Sequence, residues 1–406
     1  MNAHLVNIKI ITIRCMVKDS NYYLKPKSKL KYLIFLCLYF VLYPLAKLLY
    51  GRKNNWIICE RGDDAQDNGF IFFKYIVENH AEINITYLIK KSSSDYRKVK
   101  SIGKTVEFCS FKHLLMAIGC PVKISSHLFG YAPWSSMTVY FRSRETKHKH
   151  IFLQHGITKN SHVGFYKETC RSLDLFVCGA KPEYEFINKE FHYNNNVPQY
   201  TGFARYDLLM NYTIKNQILF MPTWRAKLAN CNDAEFIQSR FFINWNNLIN
   251  NKDILDRCRK GNTKIIVYLH YSLQKFSHLF MGNDVVEVVK YGEQTVQNLL
   301  KESKLLVTDF SSVYFDFAYM HKPMVFFQFD EDTFYDEHYT KGYFDYRRDG
   351  FGDVCLDVGA ATKSILTIID NNYAMENKYE SRIDRFFIYR DDKNCERIYK
   401  AIMAIK

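Results

Sequence analysis

The sequence predicts an α/β fold with two parallel sheets, each covered by helices on both faces. From Trp56 onward, short continuous apolar runs alternate with helical stretches, the pattern of strands buried on both sides. These runs are numerous enough for two sheets. The chain has 406 residues, 48% of them hydrophobic, enough for two or three domains with cores of their own.

Taken in order, residues 1–52 form a leader. Leu5 to Val17 alternates partly between apolar and polar residues, as a strand does, but carries Lys9 and Arg14. It lacks the small-residue cleavage site of a signal peptide, so export is not expected. Tyr32 to Ala46 is uncharged, with Lys27, Lys29 and Lys31 before it and Lys47, Arg52 and Lys53 after it. That run is shorter than the ~20 residues a spanning helix needs, and Pro44 weakens its last turn. Flanking cations with Tyr at both ends suit a segment lying on an anionic membrane surface. The competing reading is a buried helix of the first domain. The expectation is peripheral attachment at the cytoplasmic face of the cell membrane.

Residues 53–205 are expected to form a first Rossmann-like domain, with strands at Trp56–Cys59, Ile83–Ile89, Val122–Ser125, His150–Gln154 and Leu173–Cys178. Its helices are expected at Gly69–Glu78, Lys112–Ile118 and Pro182–Glu190. Residues 206–406 form the second, with strands at Ile218–Met221, Lys264–Leu269, Val285–Val289, Lys304–Thr308 and Met324–Phe329. Helices are expected there at Phe236–Asn250, Val296–Glu302, Ser312–Tyr319 and the C-terminal 15 residues. Two such layers bind ligands in the cleft between them, at the carboxyl ends of strands.

The net charge of +14 favours anionic partners, and its even spread along the chain argues against a nucleic-acid arm. The eleven Cys include no Cys-x-x-Cys pair and are irregularly spaced. Neither a zinc site nor a disulfide framework is expected from them, and a reducing cytosol is. Lys147-His148-Lys149-His150 has no nearby carboxylate or Cys to complete a ligand set, and reads as a solvated basic turn. No P-loop, Gly-x-Gly-x-x-Gly or Gly-x-Ser-x-Gly motif is present.

Four strand ends carry the chemistry. After the strand ending near Gln154 come His155 and Gly156: an imidazole able to accept a proton near neutrality, then a residue that lets the backbone turn. Lys159 follows and is placed to hold a phosphate. Beyond Met221, Pro222-Thr223-Trp224-Arg225 offers a guanidinium whose fork matches phosphate oxygens. Tyr268-Leu269-His270 sets a second His at a strand end of the second sheet, suited to a phosphate or a leaving group. Finally, Thr308-Asp309-Phe310-Ser311-Ser312 runs a strand into two hydroxyls at a helix start, an anion cradle built without glycine. Capping alone accounts for one Ser and leaves the second idle.

In order and spacing these pieces resemble the CDP-glycerol:glycerophosphotransferase family of teichoic acid primases and polymerases and their capsule-synthesis relatives. The matching stretches are Gln154-His155-Gly156, Thr201–Asp207, Pro222–Arg225, Thr308–Ala318 and Lys322–Phe327, with Glu60–Gly69, Lys341–Tyr346 and Asp349–Gly352 marking one branch. The resemblance implies a GT-B-like architecture: two Rossmann-like domains with a cleft between them, the nucleotide held mainly by the second. It implies transfer of a polyol phosphate from CDP-glycerol or CDP-ribitol to a hydroxyl of a lipid-linked acceptor, releasing CMP. No metal or other cofactor is implied, and no nucleic acid. Carried over, His155 is the base and His270 eases CMP departure. Arg225, Ser311 and Ser312 hold phosphates with Thr223 on the donor side, and Asp309 positions the donor. Gly156 and Lys159 lie toward the acceptor. Relatives place Pro or a small residue after the second His, where Tyr271 stands here. The alternative enzyme reading is a GT-B glycosyltransferase using a nucleotide sugar. A non-catalytic assembly protein on the same fold would tolerate loss of His155.

Overall fold

In the computed structural model, residues 29–142, 148–160, 172–193, 196–337 and 341–405 are described. The expected strand within 5–17 lies outside them. The apolar runs form two all-parallel sheets. The first holds β1 (Asn55–Cys59), β2 (Asn84–Ile89), β3 (Thr105–Glu107), β4 (Val122–Ser125), β5 (Lys149–Phe152), β6 (Leu175–Cys178) and β7 (Pro198–Tyr200), in the order β3-β2-β1-β4-β5-β6-β7. The second holds β8 (Gln217–Met221), β9 (Lys264–Val267), β10 (Val286–Val288), β11 (Leu305–Thr308), β12 (Met324–Phe327) and β13 (Gly352–Cys355), in the order β10-β9-β8-β11-β12-β13. Each sheet reverses its strand order once, at β1/β4 and at β8/β11. Loops leaving such a pair diverge to opposite faces and open a crevice at the carboxyl edge. The register sets Cys59 beside Ser125 and Ser125 beside Phe152 in the first sheet, and Met221 beside Thr308 in the second.

Three strands escaped the sequence reading: β3, β7 and β13. Each is an edge strand of three or four residues with polar members, so only one neighbour demands an apolar pattern of it. The helix expected over Phe236–Asn250 is two helices, Asp233–Ile237 and Arg240–Ile249. Ser239 breaks it by capping the second, its side chain accepting from Phe242 N–H at 3.1 Å. The basic turn expected at 147–150 is instead the entry into β5. His148 and His150 are buried, and His150 Nδ1 pairs with the Tyr131 hydroxyl. Lys147 lies outside the described residues.

Lys29–Tyr50 is one continuous helix, long and apolar enough to cross a membrane by length and composition. Pro44 does not end it, because tertiary packing holds the last turns. Phe35, Tyr39 and Ala46 are buried against the helices Phe111–Gly119 and Ser135–Arg142. Tyr140 packs 4.6 Å from Tyr39 and 5.8 Å from Phe35. A β-carbon on Gly119 would stand 2.2 Å from Ala46 O, so only glycine permits this approach. The opposite face, with Leu30, Leu33, Phe40, Val41 and Leu48, is exposed.

The chain divides into two compact units that are not consecutive halves. The first takes Met1–His155, Val163–Asp207 and Lys393–Lys406; the second takes Gly156–His162 and Leu208–Asp392. Asp207 holds the returning C-terminal helix Asn394–Ala404. Its carboxylate accepts from Asn394 N–H at 2.8 Å, Asn394 Nδ2 at 2.7 Å and Cys395 N–H at 2.9 Å. Gly202, at φ +78°, packs against the same Asn394, where a β-carbon would lie 1.8 Å from Oδ1. Asp207→Ala removes the acceptor for three donors. We expect a loss of about 1–3 kcal/mol, read as a lower urea midpoint; an unchanged midpoint would show that the helix is held by apolar packing alone.

Candidate active site

In the first unit, β5 delivers His155 through a strained residue. Gln154 has φ +59°, the left-handed region that costs a residue bearing a side chain roughly 1–2 kcal/mol. The strain is held by anchorage. Gln154 is buried; its Nε2 donates to Val177 O at 2.8 Å and to Glu183 Oε1 at 3.0 Å, and its carbonyl accepts from Asn68 Nδ2 at 2.7 Å. The neighbouring His155 is thereby turned outward, with an exposed face.

His155 Nδ1 lies 3.3 Å from Ser126 O. A carbonyl can only accept, so Nδ1 carries the proton and Nε2 keeps its lone pair. The ring stacks on His127, centroids 4.5 Å apart and planes at 11°. Arg205 donates from Nη1 to Asp67 Oδ1 at 2.8 Å and to the backbone carbonyl of His155 at 3.2 Å. Burial of the ring lowers His155 below the ordinary imidazole value, against the pull of Asp67. His155 is therefore neutral at pH 7. Burial drives its stacking partner His127 down to about 2.

In the second unit the β8/β11 crevice is closed by a buried ionic knot. All five N–H donors of Arg225 are engaged. Nε and Nη2 take Asp330 at 2.8 and 2.9 Å, Nη2 also takes Asp309 Oδ2 at 2.8 Å, and Nη1 takes Thr223 O and Trp224 O at 2.8 and 3.3 Å. Asp309, fully buried, also accepts from Thr223 N–H and Phe310 N–H through Oδ1. The expectation that Arg225 grips a phosphate directly therefore needs correcting: it is 5% exposed and its fork is filled by protein acceptors. Asp309 likewise faces the protein. Both shape the loops after β8 and β11.

What those loops leave open is short and polar. Ser311 Oγ accepts from Val313 N–H at 3.4 Å, while Ser312 makes no side-chain cap and is exposed. Thr223 Oγ1 is buried without a hydrogen-bond partner. His270, after β9, accepts from Ser272 N–H at 3.3 Å through Nδ1, so its proton sits on Nε2. It stacks on Trp224, centroids 5.9 Å apart, and burial lowers it, opposed by Asp309. Tyr271 points to solvent, 68% exposed.

Lys159 is not an open anion site either. Its ammonium is buried, donating to Phe310 O at 2.7 Å and to the Tyr346 hydroxyl, between the rings of Tyr314 and Tyr346. Burial lowers it to about 7. It fastens the segment starting at Gly156, where a β-carbon would stand 3.5 Å from Ser312 Oγ, to the loop after β11. Gly342 lies against Lys159 O, at a distance that would put a β-carbon 2.1 Å away.

Sequence reasoning missed His127, Arg205 and Asp330 as parts of these sites. Arg205 and Asp330 stand in or just after quoted stretches, Asp330 three residues past the end of β12. His127 follows β4, whose end at Ser125 was read correctly, so the signal was a third strand-end imidazole. Among the described residues no group of three His, Cys, Asp or Glu is arranged to hold a metal ion. Replacing Arg225 by Met would strand Asp309 and Asp330 as unpaired buried carboxylates. We expect a destabilisation of about 3–5 kcal/mol in chemical unfolding followed by circular dichroism; a loss below ~1 kcal/mol would remove Arg225 from this role.

Comparison with known proteins gives the family and the fold. The family model described as CDP-Glycerol:Poly(glycerophosphate) glycerophosphotransferase matches residues 43–404. Minor teichoic acid biosynthesis protein GgaB of Bacillus subtilis (strain 168) is 34% identical over 369 residues, covering 88% of this chain and 40% of GgaB. Teichoic acid glycerol-phosphate transferase of Staphylococcus aureus (strain NCTC 8325 / PS 47) is 25% identical, covering 89% of this chain and 96% of that protein. The chain thus spans less than half the length of some curated relatives, GgaB among them, and nearly all of another. The solved structure of the wall teichoic acid polymerase TagF superposes with a TM-score of 0.67 at 15% identity, over 92% of this chain and 95% of that one, which gives the GT-B-like fold. The chain belongs to the CDP-glycerol:poly(glycerophosphate) glycerophosphotransferase family.

Proposed function

We propose that the protein transfers a polyol phosphate from a CDP-polyol to a hydroxyl of a lipid-linked surface-polymer acceptor and releases CMP. The donor is CDP-glycerol, in line with the family description. CDP-ribitol, which shares the CDP group, is the comparison donor.

The observation that carries this reading is the opposite tautomers of the two strand-end histidines. His155 presents an unprotonated Nε2 and His270 a protonated one. The acceptor hydroxyl gives its proton to His155 Nε2 as its oxygen attacks the polyol-bearing phosphorus. The bond from that phosphorus to the bridging oxygen breaks, and CMP leaves with the electron pair. His270 Nε2–H donates to the phosphate oxygens as negative charge develops there. The hydroxyls of Thr223, Ser311 and Ser312 line the donor side, while Arg225 and Asp309 hold their loops in shape. The first unit takes the acceptor and the second the nucleotide. Gly156 and Lys159 carry the backbone from the base to the donor loop.

The protein works as a peripheral enzyme at the cytoplasmic membrane face. The exposed apolar face of Lys29–Tyr50 is the surface that enters the lipid interface, and its packed face keeps the helix in the plane of the membrane. Deleting this helix would also strip the core of the first unit, so charges on the open face are the cleaner probe. The triple change Leu33→Glu, Val41→Glu and Leu48→Glu should abolish cosedimentation with anionic vesicles and leave the circular dichroism unchanged. Undiminished sedimentation would overturn the membrane assignment.

His155→Ala should slow CMP release by ~10²-fold or more, assayed with CDP-glycerol, CDP-ribitol and nucleotide sugars in parallel. Turnover like the wild type would exclude His155 as the base. Because burial lowers His155, the base stays unprotonated to more acid pH than a free imidazole. The rate should fall on the acid side with a midpoint below that of a free imidazole. A fall that begins above pH 7 would contradict the assignment.

A further inference from the structure

The crevice where the first sheet reverses holds residues that the proposed chemistry leaves unused. Cys59 at the end of β1 pairs with Ser125 at the end of β4, so Arg61 and His127 each stand two residues past adjacent strand ends. His155 leaves the next strand. The three side chains therefore rise from neighbouring parallel strands at the carboxyl edge, where α/β sheets bind ligands.

The loop bearing Arg61 is braced throughout. Glu60 accepts from Gln66, Asp67 and Phe70 N–H, each at 2.9 Å. Asp95 accepts from Ala65 N–H and Gln66 Nε2 at 3.0 Å, and Lys90 N–H donates to Gly62 O at 2.8 Å. Gly130, beyond His127, packs so closely on Glu60 O that a β-carbon would lie 2.2 Å away, fixing one loop against the other. Within this rigid frame Arg61 is exposed and makes no hydrogen bond or ion pair with the described residues. Of the other charges, Arg205 is matched by Asp67 and Asp63 by Lys90. Asp64 is the acidic neighbour whose charge Arg61 offsets, and burial raises its carboxyl. On the floor, His127 Nδ1 is buried without a partner. Among the described residues, the cation beside the base that makes no hydrogen bond or ion pair is therefore Arg61.

We infer that Arg61 binds a phosphate of the acceptor, with His127 as the floor against which His155 and that phosphate are registered. An acceptor ending in a polyol phosphate would then be selected over a plain polyol, because its last phosphodiester lands on the guanidinium fork while its hydroxyl meets His155. This rests on the transfer reaction proposed above.

The test has two readouts. Histidine-labelled protein is titrated with sn-glycerol 3-phosphate and the imidazole signals are followed by NMR. In the wild type the His155 and His127 signals should shift. In Arg61→Ala they should not, and Arg61→Lys should recover part of the response. In kinetic assays with CDP-glycerol, Arg61→Ala should raise the KM for a soluble acceptor bearing a terminal glycerol phosphate about tenfold or more, without raising the KM for the donor. Because Arg61 is exposed and makes no hydrogen bond or ion pair among the described residues, the melting temperature serves as a control and should not move. Equal shifts and equal acceptor KM in wild type and Arg61→Ala would overturn the inference while leaving the transferase reading intact. If the wild type released CMP from no CDP-polyol, the transferase reading would fall, and the titration would still decide whether the phosphate site exists.

Discussion

The buried contact of Arg225 with Asp309 and Asp330 governs the second unit. It ties together the loops that leave β8, β11 and β12, three adjacent strands of one sheet. Two carboxylates with one guanidinium would leave a net buried charge, which a low-dielectric interior tolerates poorly. Lys159 offsets part of it: it donates to the carbonyl of Phe310, next to Asp309, and its charge is felt there. Phe241, Phe310 and Phe334 stand 4.9–5.4 Å from the Arg225 guanidinium and keep water from the knot. The open hydroxyl of Ser312 and the stacking of Trp224 on His270 follow from that enclosure.

Each unit applies the same plan with a different finish. Both sheets reverse their strand order beside their first strand, and both place an imidazole on a loop next to that reversal. In the first unit a strained Gln154, anchored at Val177 and Glu183, aims His155. In the second an Asn-like local bond from Ser272 N–H orients His270. One carbonyl and one amide thus decide which nitrogen of each ring holds its proton. The difference between the two rings is written in backbone groups rather than in the histidines themselves.

Much of this was legible in the sequence because central parallel strands must be apolar along their whole length. β1, β4 and β11 were read within a residue for that reason. His155, His270 and Asp309 were found as polar residues that abruptly end such runs. The roles of Arg225 and Lys159 were not legible: a cation after a strand looks the same whether it faces a ligand or a buried carboxylate. Only the distances to Asp309, Asp330 and Phe310 tell these apart. The burial of His148 and His150 was hidden similarly, since two lysines beside them make a charged run that reads as surface. Pro44 misled in the opposite direction, because packing on Gly119 outweighs the one backbone bond a proline removes.

The return of Asn394–Ala404 to Asp207 has a consequence for how the molecule is made. A ribosome builds β1 to β7, with the short segment Gly156–His162 of the second unit among them, and then the rest of the second unit before it supplies the helix that completes the first. Through that interval Asp207 lacks its three donors, and the apolar surface that Ile398 and Ile402 later cover stays bare. The second unit can close around its own sheet meanwhile, as an insert with both ends tethered. The order of synthesis is then the reverse of the order of completion: the unit begun first is finished last, and the unit carrying His155 becomes whole only after the second has been made.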